Sequence, residues 1–117
     1  MKYMLLIYGN TETWDALGAT GMDAVYDAHR KLFEEMKANG EYVASDGLTT
    51  LDARVVRVKD GVLAVTDGPF TEAKEVLAGY YLVDCSLERA IELAAKLPEA
   101  PYSPIEVRAL TDPMPEK

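Results

Sequence analysis

The residues of this sequence best suited to acid–base chemistry are a single histidine and a charged segment near the middle of the chain. His29 is the only histidine, and imidazole gains and loses a proton near neutral pH. It stands among apolar residues spaced three and four apart, which places it on the inner side of a predicted helix. Two interpretations stay open: a hydrogen-bonded histidine at the edge of the core, or a neutral imidazole facing a cleft between helix and sheet.

The charged segment, residues 67–75, reads Asp-Gly-Pro-Phe-Thr-Glu-Ala-Lys-Glu. Its Asp-Gly pair favours a turn, and the proline that follows holds the glycine away from helical geometry. Thr71 is placed to cap a single helical turn, from which Glu72 and Lys74 project into solvent or a cleft. The segment is therefore either a structural turn with a solvated rim or a functional loop.

Composition restricts the classes of partner. The 117 residues suggest one domain, and 12 basic against 20 acidic residues give a net charge of -8. This charge disfavours nucleic acid and anionic membranes. Cys85 is the single cysteine, so we predict a reduced, cytoplasmic protein without a disulfide or a metal site. No Gly-rich phosphate loop is present, so we predict no cofactor.

The pattern of apolar residues predicts the elements that must position these groups. Runs apolar on both sides predict two buried strands, while alternation predicts a half-exposed one. Thr20 is placed to cap the helix that carries His29, and Ser86 to cap a second. In chain order we predict a strand at 3–8, a helix at 20–39, a strand at 41–45, a hairpin at 54–66, a strand at 78–84, a helix at 86–97 and a strand at 105–110.

An Asp60-Gly61 pair sets the register of the hairpin, because this dipeptide favours a two-residue turn. Counting outward from it pairs Val58 with Leu63 and Val56 with Val65. These four side chains then share one face. We predict that this face is buried and that the other face is exposed to solvent.

Without the hairpin, the order is strand, helix, strand, strand, helix, strand, which is the split βαβ arrangement of a ferredoxin-like α+β fold. Its first and third strands are central, and these are the two strands predicted to be apolar on both faces. Two helices cover only one face of the sheet. We therefore predict a homodimer in which two sheets pack face to face.

The sequence resembles the DGPF branch of the YCII-related family, a group of uncharacterised bacterial proteins. The resemblance covers nearly the whole chain and rests on Asp67-Gly68-Pro69-Phe70 with Glu72, Lys74-Glu75 and Gly79-Tyr80, on residues 1–9, on Ala28-His29-Arg30 and on residues 105–108. It implies a dimeric α+β barrel, in agreement with the pattern above. We assign one domain to residues 1–110 and a flexible tail to residues 111–117.

The resemblance also implies a site, because members of the wider family are proposed to use a His–Asp pair. His29 fits the histidine by its helical context. The wider pattern shows Asp-Pro after the second helix, where this chain has Leu97-Pro98. The acid is therefore assigned elsewhere, to Asp67 first and Asp46 second.

Two functions are predicted. The first is a small-molecule-binding protein or proton-transfer enzyme, with His29 and Asp67 as catalytic residues and with Tyr8, Glu72 and Lys74 at the mouth of the cleft. The alternative is an accessory or regulatory module, because DGPF relatives occur beside, or fused to, extracytoplasmic-function sigma factors. A third interpretation, a stable dimer with a structural corner at residues 67–75, assigns no chemistry.

Overall fold

A computed structural model describes residues 1–69 and 75–111 of the chain. Within these ranges it is an α+β protein with two helices and antiparallel strands. The elements are β1 (Lys2–Gly9), α1 (Thr11–Ala38), β2 (Tyr42–Gly47), β3 (Arg54–Lys59), β4 (Val62–Asp67), β5 (Val76–Asp84), α2 (Leu87–Lys96) and β6 (Ile105–Ala109). Neither helix has an apolar stretch long enough to cross a membrane in the part of the chain described.

Four strands form the main sheet in the order β2-β5-β1-β6, and every neighbouring pair is antiparallel. This is the strand order of a ferredoxin-like fold. The two strands predicted to be central, β1 and β5, are central, and β2 and β6 form the edges. The α+β architecture that the sequence predicted is therefore present within one chain.

The sheet buries one face much more than the other. Along β1, Tyr3, Leu5 and Ile7 are buried, while the residues between them are partly exposed. The buried face packs against α1 and α2 through Leu32, Met36 and Leu93 and through neighbouring apolar residues of both helices. The prediction that β1 is buried on both faces is thus fulfilled on the helix side only. The opposite face carries Met4, Leu6, Tyr80 and Leu82, all half-buried.

Helix α1 begins nine residues before the predicted cap at Thr20. Asn10 is the N-cap, and its side chain accepts a hydrogen bond of 2.8 Å from the backbone N–H of Thr13. The helix is broken at Gly18, where φ is 65°, a conformation that glycine adopts without steric cost. The predicted start was wrong because residues 11–17 form a helical segment of their own, capped by Asn10 and joined to the rest through this glycine.

The hairpin of β3 and β4 has the predicted register, with Val58 opposite Leu63 and Val56 opposite Val65. The predicted burial of its apolar face was wrong, since these four side chains are all exposed. The hairpin forms a separate two-stranded sheet, so no other element of the described chain covers it. At its base, Gly68 donates a backbone hydrogen bond of 2.8 Å to the carbonyl of Ala53.

One arginine ties the two helices to the start of β2. Arg89 on α2 contacts Glu35 of α1 at 2.8 Å and Glu41 at 2.7 Å, and it also pairs with Glu92. The hydrogen bond from Arg89 lowers the pKa of Glu41, against the opposing effect of burial. The pKa of Glu35 is lowered as well, first by Lys96 and then by Arg89. This network links the two helices that cover the core to each other and to Glu41.

Candidate functional site

A cleft of about 640 Å³ opens between α1 and the end of the sheet formed by β2 and β5. This volume lies within the usual range for small-molecule sites, roughly 300–1,000 Å³. Its lining is mainly apolar and aromatic. It comprises Ile7, Trp14, Met22, Val25, Tyr26, His29, Ser45, Asp46, Gly47, Leu48, Thr49, Ala78, Gly79, Tyr80, Tyr81 and Glu99.

Two glycines form part of the cleft floor. Gly47 of β2 lies opposite Gly79 of β5 in the sheet register, and both line the cleft. A Cβ atom on Gly79 would come within 3.0 Å of the carbonyl oxygen of Asp46, closer than real Cβ contacts normally allow. The strands therefore approach closely here, and neither glycine places a side chain above them.

His29 extends from α1 into this cleft and makes two short hydrogen bonds. Its Nδ1 atom lies 2.7 Å from the Tyr81 hydroxyl, and its Nε2 atom lies 2.6 Å from Oε2 of Glu99. A carboxylate can only accept a hydrogen bond, so Nε2 carries the proton and donates a hydrogen bond to Glu99. In the neutral imidazole Nδ1 then accepts from the Tyr81 hydroxyl. Both ring nitrogens of His29 are therefore engaged.

Tyr81 stands on β5 with its ring nearly parallel to that of His29, at a centroid distance of 5.7 Å and an interplanar angle of 18°. Burial raises the pKa of Tyr81 to about 12, and the negative charge of Glu99 and the nearby Tyr42 add to this effect. The phenol is therefore neutral at physiological pH and can donate its hydrogen bond to His29.

Glu99 is the functional residue that sequence reasoning missed. It follows Pro98 in the turn after α2, where its backbone carbonyl accepts hydrogen bonds from Tyr102 and Ser103. The wider family pattern has the acid before this proline, where the chain has Leu97. The position after the proline holds the carboxylate that reaches His29. The signal in the sequence that could have identified Glu99 was an acidic residue next to Pro98, whether before or after it.

Only one carboxylate oxygen of Glu99 is satisfied. Its Oε1 atom is buried and has no hydrogen-bond partner among residues 1–69 and 75–111. An unsatisfied buried acceptor costs about 1–3 kcal/mol. The hydrogen bond from His29 is therefore the one side-chain contact of this carboxylate within the described residues.

The structure does not bring Asp67 to His29. Asp67 ends β4, with its side chain 94% exposed and 3.8 Å from Arg54. Tyr8 is not part of the cleft lining. It points to the open face of the sheet and donates a hydrogen bond of 3.0 Å to Glu106. That hydrogen bond raises the pKa of Tyr8. The roles predicted for Asp67 and Tyr8 have no support from their positions within this chain.

Asp46, the second choice as partner of His29, borders the cleft through its strand but directs its carboxylate elsewhere. It pairs with Tyr80 in the sheet register, and its Oδ2 atom lies 3.5 Å from the Tyr80 hydroxyl. Side chains alternate along a strand, so Asp46 and Tyr80 point to the face opposite Tyr81. His29 and Glu99 are then the only ionisable side chains, besides the tyrosines, that the described lining directs into the cleft.

Glu72 and Lys74, predicted for the mouth of the cleft, lie outside the described residues. The sigma-factor alternative was to depend on them and stays a prediction. Glu75, at the end of the same segment, accepts hydrogen bonds of 3.2 and 3.3 Å from the side chain of Asn10. Across the described ranges, no three side chains of His, Cys, Asp or Glu are grouped as metal ligands.

Comparison with known proteins gives a family and no activity. The family model described as YCII-related domain matches residues 1–113. An uncharacterised protein of Rhizobium meliloti (strain 1021) is 46% identical over 52 residues, which cover 44% of this chain and 42% of that protein. The matched part is thus less than half of the length of this relative.

Proposed function

This chain belongs to the YCII-related domain family, and we propose that it catalyses proton transfer on a small organic molecule held in the cleft beside His29. The observation that carries the proposal is the short contact of 2.6 Å between His29 and Glu99 inside a cleft of ligand size. A carboxylate behind an imidazole fixes its tautomer and stabilises the imidazolium that forms when the ring accepts a proton. His29 is then the residue that holds the transferred proton, and Glu99 takes the part that the sequence suggested for Asp67.

The surroundings of the pair suit this chemistry. The side chains of His29 and Glu99 are 21% and 20% exposed, so water has limited access to them. The neighbouring lining is apolar, with Ile7, Met22 and Val25 beside the aromatic residues. An electrostatic interaction is stronger in such surroundings than in water. The hydrogen bond between His29 and Glu99 is therefore partly protected from competition by water.

Proton exchange from carbon provides the test. An enolisable aryl ketone, phenylacetone, is incubated with the full-length protein in D₂O, and loss of its CH₂ signal is followed by proton NMR. We expect exchange above the buffer rate, and a fall of about 10²–10⁴-fold in that catalysis for His29→Ala, the range typical of positioned acid–base groups. Binding is followed separately by the fluorescence of Trp14, the only tryptophan, which lines the cleft.

A matched pair of variants decides which acid assists His29. Glu99→Gln and Asp67→Asn each replace one carboxylate by an amide of the same shape. We expect Glu99→Gln to slow exchange strongly and Asp67→Asn to leave it near the wild-type rate, because Asp67 lies on the exposed hairpin. Equal exchange by wild type and His29→Ala would refute the proposed function.

A further inference from the structure

We propose that Tyr81, and not His29, is the residue that exchanges a proton directly with the ligand, and that the ligand is an uncharged ring compound. The inference rests on the proposed function, of which it specifies the reacting group and the class of substrate. Tyr81 is then the catalytic residue, while His29 and Glu99 act through it.

The hydrogen-bond geometry leaves His29 no free nitrogen. Nε2 is 2.6 Å from Glu99 and Nδ1 is 2.7 Å from Tyr81. A substrate could reach the imidazole only by displacing one of these contacts. The Tyr81 hydroxyl, by contrast, uses its proton for His29 and keeps its oxygen lone pairs as acceptors. Tyr81 is 7% exposed and lines the cleft beside His29. In this proposal its oxygen is the acceptor at which a ligand proton enters the chain of hydrogen bonds.

The transfer balances without an external reactant. The Tyr81 oxygen takes a proton from the ligand while its own proton passes to Nδ1 of His29, so the phenol is neutral before and after the step. The ligand keeps the electron pair of the broken bond as an enolate, and the imidazolium of His29 balances its negative charge. The resulting imidazolium donates from Nε2 to the Glu99 carboxylate. Reversal of the same steps returns a proton to the ligand, at the original atom or at another one. The net change is proton exchange or isomerisation.

The charges of the cleft indicate the class of ligand. In the described lining no Lys or Arg is present, and the Glu99 charge is already committed to His29. Among the described residues, a carboxylate or phosphate on a ligand would therefore meet no counter-charge, and it would lie close to Glu99. Burying an unpaired charge is strongly unfavourable. An uncharged molecule avoids this cost, and Trp14, Met22 and Val25 offer an apolar surface for a ring.

The catalytic test compares two buried tyrosines. Tyr81→Phe removes the hydroxyl in the cleft, and Tyr3→Phe removes that of another buried tyrosine, 8% exposed and outside the cleft. In the phenylacetone assay we expect Tyr81→Phe to lose exchange as severely as His29→Ala, and Tyr3→Phe to retain it. Wild-type exchange by Tyr81→Phe, alongside loss in His29→Ala, would overturn this inference while the proposed function stood. Proton exchange at the wild-type rate in both Tyr81→Phe and His29→Ala would overturn this inference and the proposed function together.

A spectroscopic readout checks that Tyr81→Phe acts through the hydroxyl and not through the fold. Because the chain has one histidine, its ¹⁵N imidazole signals need no assignment to a residue, and only the two ring nitrogens must be distinguished. We expect protonated Nε2 and hydrogen-bonded Nδ1 in wild type and in Tyr3→Phe, and a shift of the Nδ1 resonance in Tyr81→Phe. An Nδ1 resonance that does not move would show that the hydrogen bond is absent, and would overturn the inference.

The ligand class is tested with phenylacetone and phenylpyruvate, which differ by a methyl group against a carboxylate. We expect phenylacetone to quench Trp14 fluorescence at a concentration at least about tenfold lower, a difference of ~1.4 kcal/mol. Equal or tighter binding of phenylpyruvate would overturn the uncharged class. Failure of both compounds to bind would overturn the proposal that the ligand is a ring compound of this size.

Discussion

The Tyr81 hydroxyl is a residue-scale feature whose titration can be measured. Its pKa is raised from 10.0 to about 12 in the folded protein, so between these values the folded state holds a proton that the unfolded state has lost. By linkage, the free energy of unfolding falls as pH rises through this window. We expect wild type to lose more stability than Tyr81→Phe across it, as measured by urea unfolding. Parallel losses in the two proteins would show that Tyr81 titrates normally.

Sequence reasoning at this scale located His29 and missed its partner for a physical reason. His29 is unique and lies on a helical apolar stripe, and both facts are local. Glu99 is 70 residues away along the chain, and its position depends on how the turn after α2 folds against α1. Asp67 looked suitable because its neighbours form a distinctive turn. That turn belongs to the exposed hairpin, and a local pattern contains no information on how far it lies from α1.

At the scale of the elements, the Arg89 network provides a prediction about the packing of the two helices. Arg89→Gln removes the charge that lowers the pKa of Glu41 from its ordinary 4.5. Stability from this contact is present above pH 4.5 and is lost as pH falls through the lowered pKa. We therefore expect the variant to be less stable than wild type at neutral pH, with a gap that narrows in acid, as measured by thermal unfolding.

The control for this variant is Arg30→Gln. Arg30 pairs with Asp27 on the exposed side of α1, where its side chain is 67% exposed, and such surface pairs contribute little. We expect Arg30→Gln to unfold close to the wild-type temperature. A stability difference between wild type and Arg89→Gln that stayed constant from neutral pH into acid would mean that the loss of stability does not come from the contacts of Arg89 with the carboxylates.

The elements themselves were largely predictable, because strand alternation and helical spacing are local. The strands of the sheet, both helices and the register of the hairpin follow from apolar periodicity and from the Asp60-Gly61 turn. The start of α1 and the exposure of the hairpin do not follow from these local patterns. The first depends on a cap at Asn10 and a break at Gly18, and the second on whether another element comes to cover Val58 and its neighbours.

At the scale of the whole molecule, the protein is thin, with extents of 48 × 44 × 18 Å. Helices and sheets each occupy a layer of about 10 Å, so 18 Å is one helix layer on one sheet. The other face of the sheet, with Leu6 and Leu82, has no cover from the described chain. We propose that a second copy covers it and that the protein is a homodimer.

Sedimentation equilibrium tests this proposal. We expect a dimer at micromolar concentration, and we expect Leu6→Glu to produce monomers because it places a charge in the centre of the open face. Leu51→Glu is the matched control, since Leu51 lies in a turn and is 76% exposed. A wild-type protein that sediments as a monomer would rule out this assembly.

The break at Gly18 has a consequence for how the cleft exchanges its contents. The helical segment before it, residues 11–17, contains no buried residue and is anchored by Asn10 and by Trp14 against Gly9. Segments with few buried contacts open at a small fraction of the global unfolding free energy. Local opening of this stretch would carry Trp14 off the cleft while the core around Leu5 and Met36 stays intact. Entry of the ligand proposed above and global unfolding would then have separate energetic costs.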